Sequence, residues 1–373
     1  MPSAGSPPPF PPTTYAMWRD GIAAELGPDA LTSRLRAKTE DGIPIEPLYA
    51  PGGPGDGEAR TLAGRVLGLL PDQATGWRIR QRFALTAPRS ALADALAGGV
   101  QSLEFLVEEG DRGGRQLAAA LDGLELGDVE LSFEGLSPAD LPLPVLESFT
   151  GPVSFGVDPI GRVLQRGGAP GGLQSELASL GRMTLSGNVR RLLRASGDPF
   201  FDAGGTTGMT LGATLAVALA YWRALEEGGA DPGWAAGTIE VRLPCGPRFF
   251  ESIAMLRAAR LVWARMLELG DITAAAPLQL VATSGRRTLT RHDPWVNALR
   301  NSAAVSIFGD GLAKYESLFR WNFFLTGQAE FVAATKQVKR AEFFYIFEPI
   351  PEFTREQLMK HEAREHAVLE LMD

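Results

Sequence analysis

Seven short runs of β-type residues alternate, along the middle of this chain, with stretches whose apolar residues recur at helical spacing. The runs are WRIRQRF near Trp77, SLEFLVE near Ser102, VELSF near Val129, VSFGVD near Val153, NVRRLL near Asn188, TIEVRLP near Thr238 and LQLVATS near Leu278. Residues 89–97, 116–121, 206–225 and 248–269 carry the helical pattern between them. Strands separated by helices predict an α/β fold with a parallel sheet, and an eight-stranded TIM (β/α)8 barrel is the first reading. A doubly wound open sheet is the alternative. Its phosphate fingerprint is missing, because no Gly-x-Gly-x-x-Gly follows the first strand and no GxxxxGK[ST] occurs. The eighth strand is either AAVSIF at 303–308 or EFFYIF at 342–347, and the aromatic character of the second favours it.

The flanks divide the chain into three parts. Residues 1–60 read as an extended arm and linker: a proline-rich start, a short helix over 15–26, and the linker-like APGGPGDGEAR. Residues 61–310 hold the barrel, and 311–373 form a tail rich in aromatics (Tyr315, Phe319, Trp321, Phe323, Phe324) that ends in a charged helix from Thr354. The start has no basic region and no apolar stretch, so it does not read as a signal peptide. A net charge of −8 argues against nucleic acid as partner. Cys245 is the single cysteine, which excludes an intrachain disulfide and fits a reducing cytoplasm. The longest apolar segment, near 211–222, falls short of the roughly 20 residues that span a bilayer, so a soluble protein is expected.

Three early segments, FPPTTYAMWRD, DGIPIEPLY and GWRIRQ, resemble the opening of the cobalamin-dependent methylmalonyl-CoA mutase family, in that family's order. Further on, DAGGTTGMTLGATLAVALAYWRAL from Asp202 and RFFESIAMLRAARLVWARM from Arg248 resemble two of its adjacent barrel units. TSGRRTLTRHDPWVNALR, from Thr283, is similar to its Thr-Ser-Gly-Trp segment and is the most specific match. The likeness is patchy in the second quarter, dense from Val189, and fades after Asn301. It implies a barrel whose axis receives the pantetheine arm of an acyl-CoA, with chemistry at the carboxyl ends of the strands.

The same resemblance implies that the chemistry is gone. The family's catalytic tyrosine in Ile-Arg-Gln-Tyr falls on Arg82, and its catalytic histidine in Gly-Tyr-His falls on Pro199, beside Asp198. Neither can do the original residue's work: a guanidinium lacks the phenol's packing and hydrogen bond, and proline has no side-chain donor. The family's cobalamin motif, Asp-x-His-x-x-Gly, is absent from the chain. The expectation is therefore a non-catalytic small subunit that binds no cofactor by itself and forms a heterodimer with a large, adenosylcobalamin-carrying mutase subunit. The alternatives are an acyl-CoA-binding or scaffold barrel, and a mutase with altered site residues.

Read from the residues alone, several side chains are candidates for ligand contact. Arg78, Arg80 and Arg82 share one strand face by the two-residue period, a costly arrangement inside a barrel unless anions accompany it. With the resemblance, an acyl-CoA or carboxylate site is the functional reading, with Arg80, Gln81 and Arg82 as contacts; structural ion pairs are the favoured one. Thr283 and Ser284 end a strand where barrel sites are built. Gly204, Gly205 and Gly208 open a helix and would suit a phosphate, although a tight turn explains them better. His361 and His366 in HEAREH lie five apart, the wrong spacing for a zinc helix, so no metal site is expected there. His292 precedes Asp293 and Pro294, a helix-start signal. Arg257 and Arg260 are assigned to a helix surface or subunit interface, and Cys245 to the core.

Overall fold

A computed structural model describes residues 13–50, 53, 78–107, 114–136, 149–167, 175–177, 180, 188–272, 278–291, 295–297, 300, 322–326 and 342–346. The arm's first twelve residues, the candidate strand at 303–308, all three histidines, Tyr315, Phe319, Trp321 and the helix from Thr354 lie outside them. The chain divides into two compact units, residues 1–68 and 69–373.

In the first unit, helix α1 (Tyr15–Leu26) starts where the Thr14 hydroxyl accepts from the Met17 amide and stops at Gly27, whose φ of 99° suits glycine. A π-turn (Leu31–Leu35) follows, and then two-residue strands β1 (Ala37–Lys38) and β2 (Pro44–Ile45), paired antiparallel.

The second unit is built on seven parallel strands in sequence order: β3 (Arg80–Ala84), β4 (Ser102–Leu106), β5 (Glu130–Glu134), β6 (Val153–Val157), β7 (Val189–Ser196), β8 (Ile239–Cys245) and β9 (Gln279–Ser284). All seven strands predicted from the sequence are present. The predicted helices are α2 (Arg89–Ala97), α3 (Gly114–Leu121), α6 (Thr207–Glu227) and α8 (Phe249–Leu269). Three short helices were not predicted: α4 (Pro159–Arg166), α5 (Asp198–Asp202) and α7 (Pro232–Gly237). Two of these start on an Asp-Pro step in which the aspartate caps: Asp158 accepts from the Gly161 amide and Asp231 from the Trp234 amide.

The sheet is curled. Laid flat, β3 and β8 would stand five strand spacings, or about 24 Å, apart. Yet the Arg80 Nη1 of β3 lies 2.9 Å from the Glu240 Oε2 of β8. The inner face therefore closes on itself as in a TIM-like fold. Along each strand the faces alternate as the period of two requires. The outer face holds the apolar core, with Phe83, Phe105 and Phe133 in register and Phe105, Phe133 and Phe155 ring to ring at 6.2 and 6.3 Å. Helix α6 covers β7 and β8 and packs on α8 through Trp222 and Trp263, 6.0 Å apart. Cys245 belongs to this core.

Two expectations change. Glu342–Ile346 is a strand, β11, but it pairs antiparallel with β10 (Asn322–Thr326) and is not part of the seven-stranded sheet, so EFFYIF does not supply the eighth barrel strand. The alternating aromatic pattern identified a strand but carried no information on its partner. Arg260, expected on a surface, is buried in α8 and donates to the Leu256 carbonyl. Burial, and then Arg257 beside it, lowers its pKa to about 10.

Glycine is required at Gly156, in the irregular β6–β7 register, where φ is +59° and a Cβ would sit 2.3 Å from the Phe133 carbonyl oxygen and 2.8 Å from the Arg194 guanidinium. Gly212 in α6 is exposed and open on all sides. Gly156→Ala should destabilise the fold by about 2–3 kcal/mol, whereas Gly212→Ala should stabilise it by about 0.5–1 kcal/mol, both read by urea unfolding.

Candidate functional site

The inner face of the curled sheet is charged. From β3, Arg80 donates to Glu240 at 2.9 Å, Glu130 at 3.2 Å and the Ser102 hydroxyl at 3.0 Å. Arg82 reaches Glu104 at 3.1 Å and Glu134 at 2.7 Å. Arg194 of β7 meets Glu240 at 2.6 Å, Glu104 at 2.9 Å, the Ser132 hydroxyl and the Phe133 carbonyl. Arg242 of β8 holds Glu134 at 2.6 Å and Glu104. Glu130, in turn, accepts from the Ser154 hydroxyl at 2.5 Å.

Four arginines thus share four glutamates, in a lattice drawn from five strands. Arg194, Arg242, Glu104 and Glu240 are almost fully buried. Burial alone would push the Glu240 carboxyl up, but Arg194, Arg80 and Arg242 hold it down at about 2. Glu104 feels the same opposition, and Arg242, Arg194, Arg80 and Arg82 keep it well below the usual carboxylate range. For the Arg80 and Arg242 guanidiniums, the glutamates outweigh burial and raise the pKa. Such a set is stable only when every charge has its counter-charge, because a buried ion left alone bears its full desolvation cost.

Above the lattice, at the carboxyl ends of the strands, lies a cavity of about 280 Å³. Leu106, Val107 and Leu136 give it an apolar wall; Asp158, Ser196, Asp198, Arg194 and Arg242 give it a polar one. Asp158 accepts from the Tyr221 hydroxyl at 2.5 Å, and Tyr221 in turn accepts from the Ile160 amide. Burial raises the Asp158 pKa against these hydrogen bonds, and burial with Asp158 beside it raises that of Tyr221. The pair clasps the start of α4 to the middle of α6.

The expected site residues are only partly brought together. Arg80 and Arg82 point into the lattice, where both are ion-paired, while Gln81 lies in register with the buried Leu103 and Leu131 of the opposite face. The Thr283 hydroxyl donates at 3.4 Å to Asp198, one of the residues that line the cavity. Ser284 stands opposite Cys245 on the outer face. Arg78 is exposed. Pro199 is the second residue of α5, next to Asp198, which accepts from the Ser196 hydroxyl at 2.9 Å. The amides of Gly204 and Gly205 are spent on the Phe201 and Phe200 carbonyls, as a tight turn requires. Sequence reasoning missed Arg194, Arg242 and the four glutamates. Charged residues set inside otherwise apolar strand runs, Glu104 in SLEFLVE and Glu240 and Arg242 in TIEVRLP, were the available signal.

The lattice makes stability depend on pH with a definite sign. Carboxylates held low in the folded state contribute stability above their unfolded value near 4.5 and lose it as pH falls toward the folded one. Urea unfolding should show stability falling steeply between pH 4.5 and about 2. Glu240→Gln should be less stable at pH 7 and show a shallower slope. Removing the shared charge, as Glu104→Gln, should cost about 3–5 kcal/mol at pH 7.

Comparison with known proteins follows the same outline. The family described as methylmalonyl-CoA mutase matches residues 188–316, which run from the start of β7 through β9 and continue past Asn301. The methylmalonyl-CoA mutase small subunit of Streptomyces virginiae is 31% identical over 328 residues, covering 81% of this chain and 53% of that protein. A probable small subunit of Mycobacterium bovis is 29% identical over 325 residues, covering 79% and 52%. The large subunit of Streptomyces virginiae is 37% identical over 108 residues, 28% of this chain and 15% of that protein. The chain spans about half the length of the small subunits it matches. With its parallel curled sheet and this similarity, the chain belongs to the methylmalonyl-CoA mutase family, on the side of its small subunits.

Proposed function

We propose that this chain is the non-catalytic barrel subunit of a cobalamin-dependent acyl-CoA mutase, acting with a large, cobalamin-bearing subunit in a cytoplasmic heterodimer. The seven-stranded sheet is read as the greater part of a (β/α)8 barrel. The observation that carries the reading is the lattice itself. It occupies the interior through which the family resemblance routes the pantetheine arm, and it commits Arg82, at the catalytic tyrosine's position, to Glu104 and Glu134.

Of the side chains offered as substrate contacts, Arg80 and Arg82 are better supported as members of this framework. Gln81 and Ser284 lie on the outer face. Thr283 touches the cavity-lining Asp198 without belonging to the lattice. Pro199 brings no proton donor to that rim. The chain's residues do not fit cobalt ligation: none of His292, His361 and His366 stands in an Asp-x-His-x-x-Gly setting. Cobalamin is therefore assigned to the partner, and no chemical step is assigned to this chain. Among the described residues no helix is long and apolar enough to cross a membrane.

Co-expression with the large mutase subunit of the same genome tests the reading. The two chains should co-purify in equal amounts and isomerise methylmalonyl-CoA when adenosylcobalamin is added. This chain alone should give no turnover. Turnover by the chain alone, or purification of the two chains apart, would overturn the proposal.

A further inference from the structure

The cavity at the carboxyl ends of the strands is unevenly charged. The four lattice arginines beneath it are matched by four glutamates, and Arg162 of α4 pairs with Glu176 at 2.6 Å. Two carboxylates that line the cavity, Asp158 and Asp198, form no salt bridge among the described residues. Both feel Arg242 only from beyond salt-bridge reach. Asp158 spends a single oxygen, Oδ1, on the Tyr221 hydroxyl and the Gly161 amide, so its Oδ2 accepts no hydrogen bond among the described residues. Asp198 accepts only from neutral donors, the Ser196 hydroxyl and, at 3.4 Å, the Thr283 hydroxyl. Both side chains are half-buried, where a carboxylate without a counter-charge attracts a cation more strongly than it would in water. Leu106, Val107 and Leu136 supply an apolar wall to the same space.

We propose that this cavity binds a small organic cation, a primary ammonium on a short aliphatic chain, with Asp158 and Asp198 receiving the ammonium and the leucine–valine wall its chain. The site does not depend on the subunit reading above. An anion finds little to hold it, since Arg162, Arg194 and Arg242 are committed to glutamates, and the Arg242 Nε, which lacks a hydrogen-bond partner, is itself buried. A hard divalent metal takes about six oxygens or more. Among the described residues no group of three or more histidines, cysteines, aspartates or glutamates could hold one. The volume of about 280 Å³ lies just under the range of roughly 300–1,000 Å³ that suits drug-sized ligands, so the occupant is small. Burial raises the Asp158 pKa, with Tyr221, Gly161, Arg194 and Arg242 opposing it; an ammonium at Oδ2 would add the direct counter-charge these do not supply.

The test is calorimetric titration of the full-length chain with n-butylammonium, methylammonium and butyrate. n-Butylammonium should bind saturably at about 1–10 mM, the range open to so small a ligand. Methylammonium, which lacks the chain, should bind at least about tenfold more weakly. Butyrate, with the opposite charge on a like chain, should show no saturable heat up to about 50 mM. Asp158→Asn and Asp198→Asn keep an acceptor oxygen for the Tyr221, Gly161 and Ser196 donors, so their thermal unfolding should stay close to that of the unsubstituted chain. Each should weaken n-butylammonium by about tenfold or more, the loss expected when a charged acceptor becomes a neutral one. No saturable binding of n-butylammonium, or butyrate binding as tightly, would overturn the proposal on the unsubstituted chain alone, whether or not the variants fold. Folded asparagine variants that both bind n-butylammonium at full affinity would overturn it as well, by placing the cation elsewhere.

Discussion

The buried exchange of charge between four arginines and four glutamates is the constraint on which the rest of the second unit depends. Each member is tolerable only because the others are present: Glu104 receives three arginines within 3.1 Å, and a fourth, Arg80, stands at 3.9 Å. The lattice also fixes shape. Its members come from β3, β4, β5, β7 and β8, and they meet only if the sheet curls with its strands in the observed register. A slip of one residue would turn Arg82 and Glu104 outward among the phenylalanines. The interior is thus held by directional charge pairs, where barrels of this type more often stack branched apolar side chains.

The requirements at the mouth follow from the same arrangement. Gly156 must be glycine because the Arg194 guanidinium occupies the space a side chain would need. Asp158, two residues further, caps α4 and binds Tyr221 from α6, so the strand end, the short helix and the covering helix are tied at one point. What remains open is a small cavity over a charged floor.

Much of this was legible in the sequence. The strands announced themselves through β-branched and aromatic residues at period two, and the long helices through their apolar spacing. The arginines of WRIRQRF were legible as a debt of negative charge, but not its creditors. Arg80 meets Glu240 across 160 residues of sequence, and no local pattern encodes a contact at that distance. The Asp-Pro starts of α4 and α7 were readable by the rule applied to Asp293 and Pro294, yet those helices are too short to show periodicity. Partnership was least legible: EFFYI looked like a barrel strand because strand propensity says nothing about which edge a strand will join. That Ala30 is the one buried residue among 13–50 emerged only from the structure.

Family membership and the proposed loss of chemistry therefore rest on different grounds. Membership rests on sequence similarity, while the proposal rests on the ion-paired inner face, which commits Arg80 and Arg82 to glutamates rather than to the arm of an acyl-CoA. Calorimetric titration of the purified chain with methylmalonyl-CoA is the most direct measurement of that claim. The account predicts no saturable heat at millimolar ligand, for this chain and for Arg82→Ala alike. Stoichiometric binding by the unsubstituted chain, weakened by Arg82→Ala, would show that the interior opens to substrate and would contradict it.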